Sequence, residues 1–410
     1  MNHLARVAGV RRRCLAVVAI TLLTTAAAFP APSNRSGTAP QWTGTWETAP
    51  SGTATVPSDA SIRNVVHISV GGSAVRVRVS NRLGTTPLGL DAVTVALRRE
   101  GAHPGPDAVP GSLRTATFVG AASVSVPVGK DRVSDPVRLR VPADTDLLVT
   151  VHTPCAGGRA TYHRDAFQTS YLAEHGNRTS DTDGAAYTAT VSHWYYVTGI
   201  DVLGPGAVGS VVAFGDSLTD GTGSTQDADQ RWPDLLSARL RGLPAHRRPG
   251  ILNAGISGNR LLRDGAGPSA LARFDADAVL RTGVRTVILF EGVNDLKGKP
   301  PETDAGAFVR AYRQIVARAH TFGVRVIGAT LTPFGGYPDW TPAREDLRRE
   351  INTSIRRGLF DAVADFDAVV RDPARPDRLR PAYDSGDHLH FDDAGAKALA
   401  DSIDLDALGW

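Results

Sequence analysis

From about residue 60 to 203, apolar residues recur at every second position, as in Val75-Arg76-Val77-Arg78-Val79 and Val137-Arg138-Leu139-Arg140-Val141. A period of two turns one face of an extended chain toward a core and the other toward water, so these runs predict strands. Further runs at 65–70, 93–97, 124–128 and 147–151 are parted by turn-rich stretches such as Gly71-Gly72 and Pro104-Gly105-Pro106-Asp107. With no helical spacing between them, short strands of this kind imply an all-β sandwich or a jelly-roll-like domain.

After Gly204-Pro205-Gly206 the pattern changes. Short continuous apolar runs at 211–214, 251–254, 286–290, 324–329 and 363–366 alternate with longer stretches of helical spacing. Leu235/Leu236/Leu240/Leu243, Phe308/Tyr312/Ile315/Ala319/Phe322 and Leu347/Ile351/Ile355 each mark one helical face. Strand, helix, strand, helix predicts right-handed crossovers and an α/β fold with a five-stranded parallel sheet covered on both faces.

The N-terminus changes the reading of charge. The formal net charge is +3 over 410 residues, but Arg6, Arg11, Arg12 and Arg13 precede an apolar stretch from Cys14 to Ala28 that ends in three alanines. This is the order of a cleaved signal peptide, and the stretch is short for a membrane span. Arg12-Arg13 partly resembles a twin-arginine signal, leaving Sec and Tat export both open. Without those four arginines the net charge is −1, which removes the electrostatic case for nucleic acid or an anionic membrane. Of the two cysteines, Cys14 lies in the signal, so Cys155 has no partner for a disulfide and is expected to be a half-buried small residue. Only four of the 45 basic residues are lysine, which suggests a GC-rich bacterial genome. The expected organisation is a signal peptide at 1–28, a loose segment at 29–40, a β-sandwich at 41–203, a linker at 204–209 and a catalytic domain at 210–410.

In an open α/β sheet, ligands lie beyond the carboxyl ends of the strands. Four of the five predicted strands lead into segments able to do chemistry. The first ends in Gly215-Asp216-Ser217-Leu218, the second in Asn253-Ala254-Gly255-Ile256-Ser257-Gly258-Asn259, the third in Glu291-Gly292-Val293-Asn294-Asp295, and the fifth is followed by Asp384-Ser385-Gly386-Asp387-His388-Leu389-His390. A serine hydroxyl is a poor nucleophile unless an imidazole takes its proton. His390 is the candidate base, with Asp387 three residues earlier to orient it. Charge developing on an ester oxygen requires preorganised donors, for which the Ser217 and Gly258 N–H groups and the Asn294 amide are the candidates. Each segment also has a plainer reading. Gly-Asp-Ser often caps a helix, Asn294-Asp295 could be a turn, and His388-x-His390 has the spacing of a metal site, although no third histidine accompanies it. Trp232 is assigned to core packing rather than to a substrate pocket.

These four blocks, in this order over roughly residues 211–403, resemble the SGNH (GDSL) hydrolase superfamily. The resemblance implies a flavodoxin-like αβα sandwich, ester hydrolysis with no cofactor and no metal, Ser217 as nucleophile, Gly258 and Asn294 as oxyanion donors, and Asp387 with His390 as orienter and base. It leaves the ester open. A secreted, extracellular esterase acting on short-acyl esters, acetyl above all, of a carbohydrate or secondary metabolite is the favoured expectation, since no long apolar lid segment is evident. A lipase or lysophospholipase is the runner-up. An acyltransferase and a non-catalytic carbohydrate-binding protein are further alternatives, the last because Trp42, Trp46, Trp194, Tyr195 and Tyr196 could stack on sugars, although core and interdomain packing is the preferred reading of them. The expected partner is a small-molecule or glycan ester, with no nucleic acid, no stable membrane anchoring after signal cleavage, and a monomeric state. The short linker further predicts that the strand-rich domain forms part of the catalytic cleft.

Overall fold

Alternation decides the first half of the structure, a computed structural model that describes residues 41–101, 104–155, 158–204 and 208–409. The signal-peptide and loose-segment assignments therefore lie outside the described residues. In strand Val75–Ser80 the valines are buried while Arg76 and Arg78 are half-exposed, as a period of two requires. A four-stranded antiparallel sheet runs in the order Gln41–Glu47, Val197–Gly204, Val75–Ser80, Asp131–Val133. A six-stranded sheet is centred on the nine-residue pair Ala60–Ile68 and Thr145–Thr153. Ile62, Val66 and Val149 from the second sheet share one core with Val75, Val77, Ile200 and Val202 from the first, which makes this region a β-sandwich. Trp46 meets Trp194 edge to face in that core, with ring centroids 5.1 Å apart.

Two local expectations give way here. The alternating stretch 137–141 is no strand and keeps only the bridges Val75–Val137 and Gly72–Val141. Pro136 and Pro142 flank it and cannot donate to a ladder. Cys155 is exposed rather than half-buried, because it lies beyond the end of strand Thr145–Thr153.

In the second half the continuous apolar runs become the parallel strands β1 (Ser210–Gly215), β2 (Gly250–Gly255), β3 (Val284–Phe290), β4 (Arg325–Ala329) and β5 (Ala362–Ala364). Their order is β2-β1-β3-β4-β5, the flavodoxin-like arrangement whose switch point lies beside β1. Helices Trp232–Leu240 and Asp393–Ser402 pack together, and helices Ala305–Thr321 and Pro342–Arg356 form a separate group. Phe366, expected at the end of the fifth strand, instead starts helix Phe366–Val370, because the Asp365 carboxylate accepts the Ala368 N–H and caps it. Phe322, expected on the buried face of its helix, lies just past the helix end and is half exposed.

The described residues belong to one compact unit. Strand Gln41–Glu47 lies against β2, with Gly44 N–H donating to Thr282 O at 3.0 Å and Ser210 Oγ donating to Gly44 O at 3.0 Å. Nearby, Arg82 of the sandwich is hydrogen-bonded to the buried Asp277 carboxylate. Burial would raise the Asp277 pKa, yet Arg82, Arg281 and Arg273 together hold it below the usual carboxylate range. No helix among the described residues is long and apolar enough to cross a membrane.

Candidate active site

Register brings the catalytic segments to one level. Gly215 pairs with Gly255 on one side and with Phe290 on the other, so β1, β2 and β3 end together. Their next residues, Asp216, Ile256 and Glu291, therefore open side by side at the switch point. Gly215 sits where its chain touches β3 closely: a Cβ there would lie 2.3 Å from Phe290 O. Only glycine fits that turn.

Ser217 opens the four-residue helix Ser217–Asp220, capped by Asp216 Oδ1 accepting the Leu218 N–H at 3.0 Å. The plain capping reading of Gly-Asp-Ser thus holds together with, not instead of, a presented hydroxyl. Ser217 Oγ lies 2.9 Å from His390 Nε2, across 173 residues of chain. On the other side of the ring, His390 Nδ1 lies 2.5 Å from Asp387 Oδ2. Asp387 Oδ1 also accepts the backbone N–H groups of His390 and Leu389, at 2.8 and 3.0 Å. Burial acts to raise the Asp387 pKa, but those bonds and the His390 ring outweigh it and hold the carboxyl below its ordinary value. An ionised carboxylate on Nδ1 fixes the proton there and leaves Nε2 free to accept one from serine.

The structure separates the two histidines that a metal reading would join. His388 turns its Nδ1 to Asp384 Oδ2 at 2.6 Å, while His390 faces Ser217 and Asp387. A different group, His67 with Asp146 and Asp229, is close enough to hold an ion. Its carboxylates already bind the imidazole, with His67 Nδ1 2.9 Å from Asp146 Oδ1.

Of the three oxyanion candidates, Gly258 and Asn294 differ in state. Gly258 has a φ of +82°, the left-handed region open to glycine, and its N–H meets no acceptor among the described residues. Asn294 Nδ2 donates to Asn259 O at 2.8 Å and to Asp216 Oδ2 at 3.2 Å. Burial pushes Asp216 up to about 7, so that its carboxyl is only partly ionised near neutrality. Glu291, buried beside it, is raised well above the usual carboxylate range by the same desolvation.

Several supports went unseen in the sequence. Arg273 is buried and donates to Gly215 O at 2.8 Å, Ala254 O at 2.7 Å and Asn259 Oδ1 at 2.9 Å, tying the ends of β1 and β2 to the loop that carries Gly258. Asp295 accepts the Leu261 and Leu262 N–H groups at 2.6 and 3.1 Å. Asp295 is the last residue of a block that the sequence singled out; Arg273 has no local signal, because its acceptors lie 14, 19 and 58 residues away, in two separate segments. Trp232 is buried edge-on against Phe366, with centroids 5.8 Å apart, in the core as expected.

Residues 213–398 match the GDSL-like Lipase/Acylhydrolase family. Among solved structures, the chain is similar to an acetyl-xylooligosaccharide esterase from Geobacillus, in a mutant form, at 21% identity and a TM-score of 0.39, covering 50% of this chain and 96% of that one. It is similar also to a carbohydrate acetylesterase from Sinorhizobium meliloti, at 19% identity and a TM-score of 0.37 over 47% of this chain and 94% of the other. A third is the aryl esterase of M. smegmatis, at 18% identity and a TM-score of 0.38 over 47% and 94% of the two chains. At the level of sequence, nothing matched among the curated proteins.

Proposed function

We propose that this carboxylic ester hydrolase, whose residues 213–398 match the GDSL-like lipase/acylhydrolase family, is a serine esterase working through an acyl-enzyme on Ser217. The observation that carries the reading is the continuous hydrogen-bonded chain from Ser217 Oγ through His390 to Asp387, at 2.9 and 2.5 Å. Ser217 Oγ attacks the ester carbonyl carbon while His390 Nε2 takes the hydroxyl proton. The carbonyl oxygen becomes an oxyanion held by the Ser217 and Gly258 N–H groups and by one N–H of Asn294, turned from Asp216. Collapse breaks the bond to the alcohol, which leaves with the proton from His390. Water then attacks the acyl-serine, giving its proton to His390, and the acid departs as Ser217 regains it.

The proposed substrates are short-acyl esters, acetyl above all, of a carbohydrate or secondary metabolite, met outside the cell after export. Two features support this. The loops at the serine are edged by polar groups, including the half-buried Arg260 and Lys297, whose ammonium lies 5.0 Å from the centre of the Tyr337 ring. In the parallel-sheet region the exposed large apolar residues include Leu280 and Phe322, which precede β3 and β4 and so lie at the opposite end of the sheet from Ser217. A lipid surface would call for such residues around the serine.

A series of acetyl, butyryl and long-chain nitrophenyl esters tests both levels. Acetyl ester is expected to turn over fastest, and Ser217→Ala to remove several orders of magnitude in kcat/KM without loss of fold. Full activity in Ser217→Ala would exclude the nucleophile; preference for the long chain would exclude the substrate class while leaving the nucleophile standing.

A further inference from the structure

Strand Ala160–His163 of the β-sandwich region ends against the catalytic loops, at Asp220. His163 is buried, and both ring nitrogens face acceptors: Nδ1 lies 2.8 Å from Ala49 O, and Nε2 lies 2.9 Å from Asp220 Oδ1 and 3.2 Å from Asp165 O. Both nitrogens must donate, so the ring is an imidazolium. Asp220 is the last residue of the short helix that Ser217 begins. Its other oxygen, Oδ2, accepts both the Ser257 N–H and the Ser257 hydroxyl at 2.7 Å.

The neighbouring residue completes the grip. Arg164 Nη2 donates to Ser257 O at 3.2 Å, while its Nε is held by Asp165 Oδ2 at 2.9 Å. Ser257 O and the Gly258 N–H are the two ends of one planar peptide group, and in a trans peptide they point in opposite directions. Whatever aims that carbonyl at Arg164 also aims the N–H away from it. A cation on the oxygen further polarises the peptide and strengthens its N–H as a donor.

We propose that the β-sandwich sets the oxyanion hole, with His163 (through Asp220) and Arg164 acting as positioning residues for the Gly258 N–H. The inference rests on the reading of Ser217 as nucleophile and deepens it: the sandwich is a working part of the esterase, because two of its consecutive residues hold both ends of Ser257. Neither residue touches substrate. Their effect is on a donor that matters most once the carbonyl oxygen carries charge, so it belongs to kcat more than to KM.

The test uses the whole chain with nitrophenyl acetate, and counts active sites by stoichiometric release of nitrophenol from an aryl phosphonate ester that phosphonylates the serine. Removing one oxyanion donor outright costs about 10²- to 10³-fold; misdirecting it is expected to cost roughly tenfold in kcat per titrated site. Arg164→Ala and His163→Gln should each show that loss with KM nearly unchanged, and Arg164→Lys, which keeps the cation, should recover much of it. Should His163→Gln fail to fold, the half-exposed Arg164 still decides the matter. Wild-type kcat per titrated site in Arg164→Ala, a loss confined to KM, or Arg164→Lys no better than Arg164→Ala would each overturn the inference. An active Ser217→Ala would instead overturn the catalytic reading beneath it.

Discussion

Two of the imidazole–carboxylate pairs near the serine, His390–Asp387 and His163–Asp220, do opposite work. His390 and Asp387 lie 2.5 Å apart at the rim of the parallel sheet, with the carboxylate side chain 43% exposed. His163 and Asp220 lie 2.9 Å apart beneath the Ser257 loop, where both side chains are at most 3% exposed. The second nitrogen separates them. In His390 it faces the Ser217 hydroxyl, which both gives and takes a proton; in His163 it faces the Ala49 carbonyl, which only accepts. Burial acts to lower the His163 pKa, but the Asp220 charge outweighs it and the ring keeps its proton. The same two residue types thus give a movable base in one place and a fixed cation in the other.

The same change of Asp to Asn made in each pair tests this contrast. At the rim, Asp387→Asn is expected to lower kcat/KM by roughly 10²- to 10⁴-fold, since the amide no longer fixes the tautomer that leaves Nε2 free. Thermal stability should hardly move, because the carboxylate is partly in water. At the seam, Asp220→Asn strips a buried imidazolium of its counter-ion and is expected to destabilise the fold by about 3–5 kcal/mol. Its rate loss should be no larger than that of the Arg164 variant. Denaturant titration and ester kinetics on the two variants would check both; a stability loss at Asp387 matching that at Asp220 would erase the distinction.

The smallest expected effect is a slope. At the edge of the sandwich, burial would lower the His67 pKa, but its hydrogen bond to Asp146 and the charge of Asp229 raise it from 6.5 to about 9. Between those values the folded protein holds a proton that the unfolded chain has released, so stability is full below the lower value and declines as pH rises toward the upper. Glu47 adds to the same sign, since burial raises it from 4.5 to about 8 and the folded state retains its proton in that interval. Melting temperature should therefore fall from pH 6.5 to 9, and His67→Gln should flatten the decline. A melting temperature that rose over this range would contradict the sign.

Legibility in the sequence followed how local each feature is. The parallel strands were readable because β1 to β4 are buried on both faces along most of their length and leave continuous apolar runs; β5 is partly exposed at Val363, and the error at its end, Phe366, arises where Asp365 caps a helix. The stretch 137–141 misled because alternation reports a wet and a dry face, while strand pairing also needs N–H groups that Pro136 and Pro142 lack. The four chemical blocks were visible as residue types on successive strand ends. The grip on Ser257 was not, since His163 and Arg164 lie 57 and 93 residues from the groups they bind, in a stretch with no motif.

By itself the sequence determined what is short-range: strand and helix periods, the glycine at the Ser217 turn, and the reach of Asp387 to His390 three residues on. Only the tertiary structure decided which histidine meets the serine. Ser217 and His390 are 173 residues apart, and the intervening strands must align before Nε2 comes within 2.9 Å of Oγ. It also decided which imidazole is a base and which a cation, because that turns on the atom opposite the second nitrogen. Long-range packing places that atom, and no local pattern of residues encodes it.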